Sequence, residues 1–450
     1  MSVSLRLRGD IRARCADLGD ATSHQLHKTC CVETESRHQR GPQWLPPPSI
    51  DLARYEDGVL VLPRGATDLV RETVGASVTW VDERVSFPRV DAPVRREFRP
   101  NQTSSADVIE ARHQAIVLGA TGSGKAGAIA ATIARLGQPA RIVVPTVDLA
   151  VQMKREIGTF LDVPIAVMTG GDFAVDFVTI MTPQTAIKHA AKLDGLFGYD
   201  CFDELQNFAT EQRARLIGTC SGRYRAGFTA TLPDDEPRRR VLRLLFGRVA
   251  FSYGIAEATA AGVLMVPRRQ EHRTSFRFDY RDADDYGPML EALALDAARN
   301  AQIVDTVAAS CTDRLGLVLT GRVKHALDLA ESIRGRGLRC EALVGEMPKR
   351  ERVRVLDAAR AGDLDVVTAT NLADEGLDVP TLAELFLVFP ARGEAKLLQR
   401  IGRVLRVADG KHAATVHDFI DESCGVLRHQ ARIRAQLFDR TWHAQTSRCA

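Results

Sequence analysis

No Cys-x-x-Cys pair occurs in these 450 residues, although nine cysteines are present, at positions 15, 30, 31, 201, 220, 311, 340, 424 and 449. Such scatter argues against a structural zinc site and against a disulfide framework, so reduced thiols are expected. Long apolar runs are missing as well. None approaches the roughly 18 residues needed to span a bilayer, and the N-terminus lacks the apolar core of a signal peptide. The expectation is a soluble, cytoplasmic protein with no membrane partner. Net charge is nearly absent, at +3, so a nucleic-acid surface would have to be a local patch. Lysine is scarce, nine against 51 arginines, a bias that does not by itself signal phosphate binding.

What is present is a long alternation of short apolar runs with helix-compatible segments. Residues 1–49 are polar, poorly periodic and end in Pro46, Pro47 and Pro48, which predicts a weakly ordered lead-in. Residues 50–95 hold strand-like pieces (58–63, 76–83) around a short helical stretch, enough for a small α+β accessory domain. Between 96 and 255 the runs at 115–118, 141–145, 164–169, 177–182, 199–204 and 225–230 predict a parallel sheet with crossover helices. After a connection over 256–314, a second series at 315–320, 340–345, 365–370, 384–389 and 414–419 predicts a second α/β domain over 315–440, with a tail at 441–450.

The first domain carries a phosphate-binding loop: Gly119, Ala120, Thr121, Gly122, Ser123, Gly124, Lys125, Ala126. It follows an apolar strand and opens an Ala-rich helix, the order such a loop requires. Its glycines let backbone N–H groups turn toward phosphate oxygens, and Lys125 adds positive charge. The eighth position departs from the pattern. A Ser or Thr hydroxyl normally serves Mg²⁺ there, and Ala126 has none. Asp203 and Glu204 close the run 199–204, placing a carboxylate pair on the same sheet edge if the sheet is parallel. In the second domain, Arg403 and Arg406 lie three apart, on one helical face. They are either a solvated surface or arginine fingers for a developing transition state.

Taken in order, FRPNQ (98–102), GATGSGKA, PTVDLAVQ (145–152), TPQTA (182–186), DELQ (203–206), TAT (229–231), TATNLADEGLDVP (368–380) and QRIGRVLR (399–406) resemble the motifs of superfamily 2 helicases. The chain is most similar to the DEAD/DEAH-box helicases of bacteria and phages, in the group of the XPB-like and UvsW-like DNA helicases. The resemblance covers about residues 50–440. It implies two tandem RecA-like parallel-sheet domains that use ATP and Mg²⁺ to move along nucleic acid, DNA rather than RNA, with little sequence preference.

By the same resemblance, Gln102 reads adenine, Lys125 holds the outer phosphates, Asp203 serves Mg²⁺ and Glu204 orients water. Gln206, Thr229, Thr231 and Gln399 couple the nucleotide to strand movement. Gly376 and Asp378 contact ribose or position the fingers, which are Arg403 and Arg406. Thr146, Gly171, Thr182 and Thr370 would line the nucleic-acid track, although a threonine at such positions can equally be a strand or cap residue. Ala126 leaves a second reading open, an ATP-binding clamp with weak or no hydrolysis. A third is the motor subunit of a restriction or defence assembly.

Overall fold

The computed structural model describes residues 3–34, 49–75, 78–170, 173–345, 347–370, 379–390, 394–408 and 410–443. The chain divides into two compact units, Met1–Gly119 with Gly124–Ser252, and Ala120–Ser123 with Tyr253–Ala450. Among the described residues, no helix is long and apolar enough to cross a membrane.

The first unit opens with β1 (Val3–Leu7) and β2 (Asp10–Arg14). Helix Asp20–Cys30 then leads to β3 (Cys31–Glu33), which pairs with β4 (Ser49–Asp51). β5 (Arg54–Glu56), β6 (Val59–Pro63) and β7 (Val78–Asp82) complete a five-stranded sheet of order β5-β6-β2-β1-β7. Residues 1–49 were expected to be weakly ordered and the accessory domain to begin near residue 50. Instead, residues 3–33 form regular elements, and the small sheet begins at Val3. In β1, Val3 and Leu5 are buried while Ser4 and Arg6 are exposed. Five residues with polar partners alternate in and out, and that period of two is enough to build a half-buried strand in otherwise polar sequence.

This sheet is welded to the rest of the unit through arginines that donate to carbonyls. Arg64, nearly inaccessible, donates to Gly222 O at 2.6 Å and Arg223 O at 2.5 Å. Arg225, fully buried, donates to Gly9 O at 2.8 Å, Cys220 O at 2.7 Å and Ile217 O at 3.1 Å. Burial, then the charges of Arg225 and Arg84, hold the Arg64 pKa well below its ordinary value. The backbone approach is so close at Gly9 that a Cβ would stand 2.3 Å from Gly218 O.

The main sheet of this unit runs β10-β11-β9-β12-β13-β8-β14. Its strands are β8 (Gln114–Gly119), β9 (Ala140–Val143), β10 (Ile165–Met168), β11 (Val178–Met181), β12 (Tyr199–Asp203), β13 (Tyr224–Thr229) and β14 (Val249–Tyr253). β8 to β13 pair in parallel throughout. β9, β11 and β12 are buried at every position, the mark of a sheet covered by helices on both faces. The ion pair Arg141–Asp200 at 2.6 Å is sealed inside, and Asp200 also accepts Gly222 N–H at 2.9 Å. Its lone pairs are thus satisfied, as a buried charge requires.

The second unit holds β15 (Pro267–Arg273), β16 (Gly316–Leu319), β17 (Cys340–Leu343), β18 (Val366–Ala369), β19 (Glu384–Leu387) and β20 (Ala414–Ile420), in the order β15-β20-β19-β16-β18-β17. Among the described residues these strands pair in parallel. The stretch 256–314, read as a connection, supplies the edge strand β15 and helix Ala297–Ser310. β15 is polar because only β20 flanks it. It is held there by Arg269–Asp418 at 2.6 Å and by a contact of 2.9 Å between His272 Nε2 and His417 Nδ1.

A buried histidine makes this unit sensitive to acid. Asn300 donates to Ala294 O at 2.8 Å, which aims its Oδ1 at His325 Nε2, 3.0 Å away. His325 Nδ1 is then left to accept from the Thr320 hydroxyl at 2.8 Å. Both ring contacts suit the neutral form. Burial, and next the Arg299 charge, push its pKa down from 6.5 to about 4. A depressed folded-state pKa gives stability that is complete above 6.5 and is lost as pH falls toward 4, to a total of roughly 3 kcal/mol. Urea unfolding of wild type and His325→Gln at pH 7 and pH 4.5 is expected to show the wild-type advantage shrinking on acidification. A gap that stays constant with pH would count against this.

Candidate nucleotide site

Three neighbouring parallel strands, β12, β13 and β8, deliver the expected chemistry to one sheet edge. Their registers set Asp203 beside Phe228 and Thr229 beside Leu118, one residue before the phosphate loop. Within the loop, Ser123 N–H donates to Ala120 O at 3.0 Å. Gly122 and Gly124 adopt φ of +83° and +91°, which a side chain would oppose. Thr121 lies between them and Ala120, half-buried. Lys125 opens helix Lys125–Leu136, and its Nζ stands 3.8 Å from the Glu204 carboxylate.

Glu204 has φ +50°, a left-handed conformation that costs a non-glycine residue about 1–2 kcal/mol. The turn lets its carboxylate accept from Gln206 Nε2 at 2.9 Å. Gln206 Oε1 in turn stands 2.5 Å from the Thr229 hydroxyl, which is also 2.6 Å from Thr231 O and accepts Thr231 N–H at 3.2 Å. That hydroxyl has one proton, so it serves Gln206 or the Thr231 carbonyl at any moment. A continuous polar path therefore runs from Lys125 through Glu204, Gln206 and Thr229 to Thr231. Three separate stretches of sequence meet in it.

Asp203 is buried, and its Oδ1 has no hydrogen-bond partner among the described residues. Burial first, and the Glu204 charge second, push its carboxyl up to about 7, with Lys125 pulling the other way. An orphaned carboxylate oxygen at this point suits a hard cation such as Mg²⁺. Ala126, the second residue of the helix, turns its methyl into the apolar core of the unit.

Gln102 is almost inaccessible. Its Oε1 accepts Arg99 N–H at 2.8 Å, and its Nε2 donates to Gly124 O at 3.1 Å. The side chain thus fastens helix Pro100–Arg112 to the end of the phosphate loop. This fastening depends on Gly127, which the sequence reading did not single out. A Cβ at Gly127 would lie 2.2 Å from Gln102 Nε2 and 2.9 Å from Phe160. A glycine inside a helix, which costs about 1 kcal/mol against alanine, was the available signal.

The remaining expected residues are spread over both units. Thr146 and Thr182 follow the adjacent strands β9 and β11, each as the N-cap of a helix, accepting from Leu149 N–H at 3.3 Å and Thr185 N–H at 3.4 Å. Thr370 follows β18 in the second unit, where its N–H donates to Leu343 O at 3.4 Å. Gln399 and Arg403 lie on helix Glu394–Val404. Arg406 lies just beyond it, in an antiparallel bridge with Leu264. The positions Gly171, Gly376 and Asp378 lie outside the described residues, as does the side chain of Gln399.

The polar path has a measurable cost. Thr229→Val keeps the shape but strips partners from Gln206 Oε1 and Thr231 N–H. It is expected to lower unfolding free energy by about 1–3 kcal/mol, as buried unsatisfied groups do. Urea denaturation of both proteins reads this directly, and an unchanged midpoint would show that the path contributes nothing to stability.

A DEAD/DEAH box helicase family model matches residues 99–239, and a helicase conserved C-terminal domain model matches residues 302–408. The DNA 3'-5' translocase XPB2 of Sulfurisphaera tokodaii is 24% identical over 365 residues, covering 73% of this chain and 82% of that protein. The putative DNA 3'-5' helicase Rad25 of Halobacterium salinarum is 26% identical over 441 residues, covering 87% of this chain and 71% of its own length. Among solved structures, S. cerevisiae Dbp5 bound to RNA and ADP BeF3 superposes with a TM-score of 0.55 at 16% identity, over 77% of this chain and 92% of that one, which speaks for the two RecA-like folds. The chain belongs to the DEAD/DEAH-box helicases of superfamily 2, a family of ATP-hydrolysing enzymes.

Proposed function

We propose that this protein is an ATP-driven helicase or translocase acting on DNA, with the phosphate loop and the acidic pair as its hydrolytic centre. The observation that carries the reading is the path Lys125–Glu204–Gln206–Thr229–Thr231. A carboxylate that could orient the attacking water is hydrogen-bonded, through one glutamine, to the Thr-Ala-Thr turn. A change at the nucleotide can therefore alter that turn, which is what a motor needs and a plain phosphatase does not.

In this reading Lys125 draws in the outer phosphates and Glu204 holds water for in-line attack. Lys125 stands close enough to Glu204 to exchange that contact for one to phosphate. Asp203 would hold Mg²⁺, whose charge neutralises the phosphate oxygens. Arg403 and Arg406 would add positive charge in the transition state. Gln206 passes the state of Glu204 to Thr229 by hydrogen bonding alone, since an amide does not titrate. Thr146, Thr182 and Thr370 would meet the phosphate backbone, where contacts position a strand without reading its bases. The DNA preference rests on the names of the relatives, XPB2 and Rad25.

ATP hydrolysis measured with no polymer, single-stranded DNA, duplex DNA and RNA is expected to rise about tenfold or more with DNA. Lys125→Ala should reduce the stimulated rate by about two orders of magnitude, the usual scale for removing one electrostatic contact to a transition state. Stimulation by RNA alone would remove the DNA preference, and equal rates in all four would remove the motor. Ala126→Thr tests the departure in the loop. With the hydroxyl restored, the rate is expected to rise and the Mg²⁺ requirement to fall, whereas an unchanged rate would mean that the site works fully around alanine.

A further inference from the structure

Helix Glu394–Val404 ends in carbonyls that have no acceptor role left within the helix, as every helix does. No glycine closes it. One side chain does so from seven residues downstream: Lys411 Nζ donates to Val404 O at 2.6 Å, to Arg406 O at 2.8 Å and to Pro380 O at 3.3 Å. Three protons meet three carbonyls, so the ammonium is saturated. The same backbone is also fixed by Met265 N–H, which donates to Leu405 O at 2.8 Å. Val404 and Leu405 are themselves fully buried. The backbone that carries Arg406 is thus held by two partners, Lys411 and Met265, and the lysine also links it to Pro380, the last residue of the TATNLADEGLDVP stretch.

Composition makes the residue type informative. This chain uses 51 arginines and nine lysines, so a lysine here goes against its habit. The compact ammonium aims three donors at oxygens spread around a point, whereas a guanidinium presents a planar fork. The position is costly to the charge: burial, and next the Arg406 charge, push the Lys411 pKa down to about 8. Among the described residues, its hydrogen-bond partners are carbonyls and not carboxylates. A charge kept there against that cost is held by the carbonyls it organises.

We infer that Lys411 is a positioning residue for hydrolysis: it sets the backbone of Val404–Arg406 and so the direction in which Arg406 presents its guanidinium. The inference rests on the reading that Arg406 acts on the triphosphate. Lys411 itself touches no substrate. Its loss costs turnover through Arg406, while ATP still binds at the phosphate loop.

The experiment compares full-length wild type, Lys411→Met, Lys411→Gln, Arg406→Ala and the double variant Lys411→Met/Arg406→Ala, with Lys125→Ala as the inactive reference. DNA-stimulated kcat and KM for ATP are measured along with the thermal unfolding midpoint. Either Lys411 variant should lower kcat about 10- to 100-fold with KM changed less than about threefold, the pattern of an interaction felt in the transition state. The double variant should be no slower than Arg406→Ala alone, because a residue that acts through another has nothing left to position. Losses that multiply in the double variant, or full kcat in Lys411→Gln beside an impaired Arg406→Ala, would overturn the inference and leave the role of Arg406 standing. Full kcat in Arg406→Ala would remove that role, and the inference with it. If Lys411→Met does not fold, Lys411→Gln, which still donates to two carbonyls, carries the comparison.

Discussion

The parallel pairing of β12 with β13, and of β13 with β8, is the constraint on which the site depends. Parallel strands end at the same edge, so the residue that closes each strand meets the residues that close its neighbours. Asp203, Thr229 and the phosphate loop come from three such endings. A shift of one residue in either register would turn each side chain to the opposite face of the sheet. The burial of β9, β11 and β12 at every position resists such a shift, since it would have to break the packing of both faces at once.

Around that edge the protein keeps its polar chemistry in buried and half-buried places. Glu204 sits in a left-handed turn, Asp203 keeps an unpaired oxygen, and Thr229 divides one proton between two acceptors. Each costs free energy in the folded state. Local strain of this kind persists only when the surroundings over-determine it, and here the surroundings are an apolar sheet with helices on both sides. Arginine and lysine divide the remaining work by shape. Arg64 and Arg225 use their forks to join loops of the small sheet to the main sheet, while Lys411 gathers three carbonyls around one point.

How much of this could be read beforehand depended on burial. Strands β8 to β13 and β16 to β20 were legible because a strand covered on both faces is a short, continuous apolar run. β15 was not, since PRRQEHR faces a single neighbouring strand and holds its place with ion pairs and histidines. β1 and β2 were missed for a related reason: their apolar residues alternate with arginines inside a polar region. The acidic pair and the loop lysine were found by motif. Gly127 and Lys411 were not, because each matters for what lies across from it, Gln102 in one case and three carbonyls in the other.

By itself, the sequence determined the class of fold, the presence of a phosphate loop and the order of the motifs. These are local properties, set by apolar periodicity and by residues close together in the chain. Only the tertiary structure decided that Gln102 clamps the loop, that Glu204 reaches Thr231 through Gln206 and Thr229, and that a lysine closes the helix bearing Arg403. Those are contacts between atoms a few ångströms apart whose residues are not neighbours in the chain, and hydrogen-bond geometry has no signature in a linear pattern.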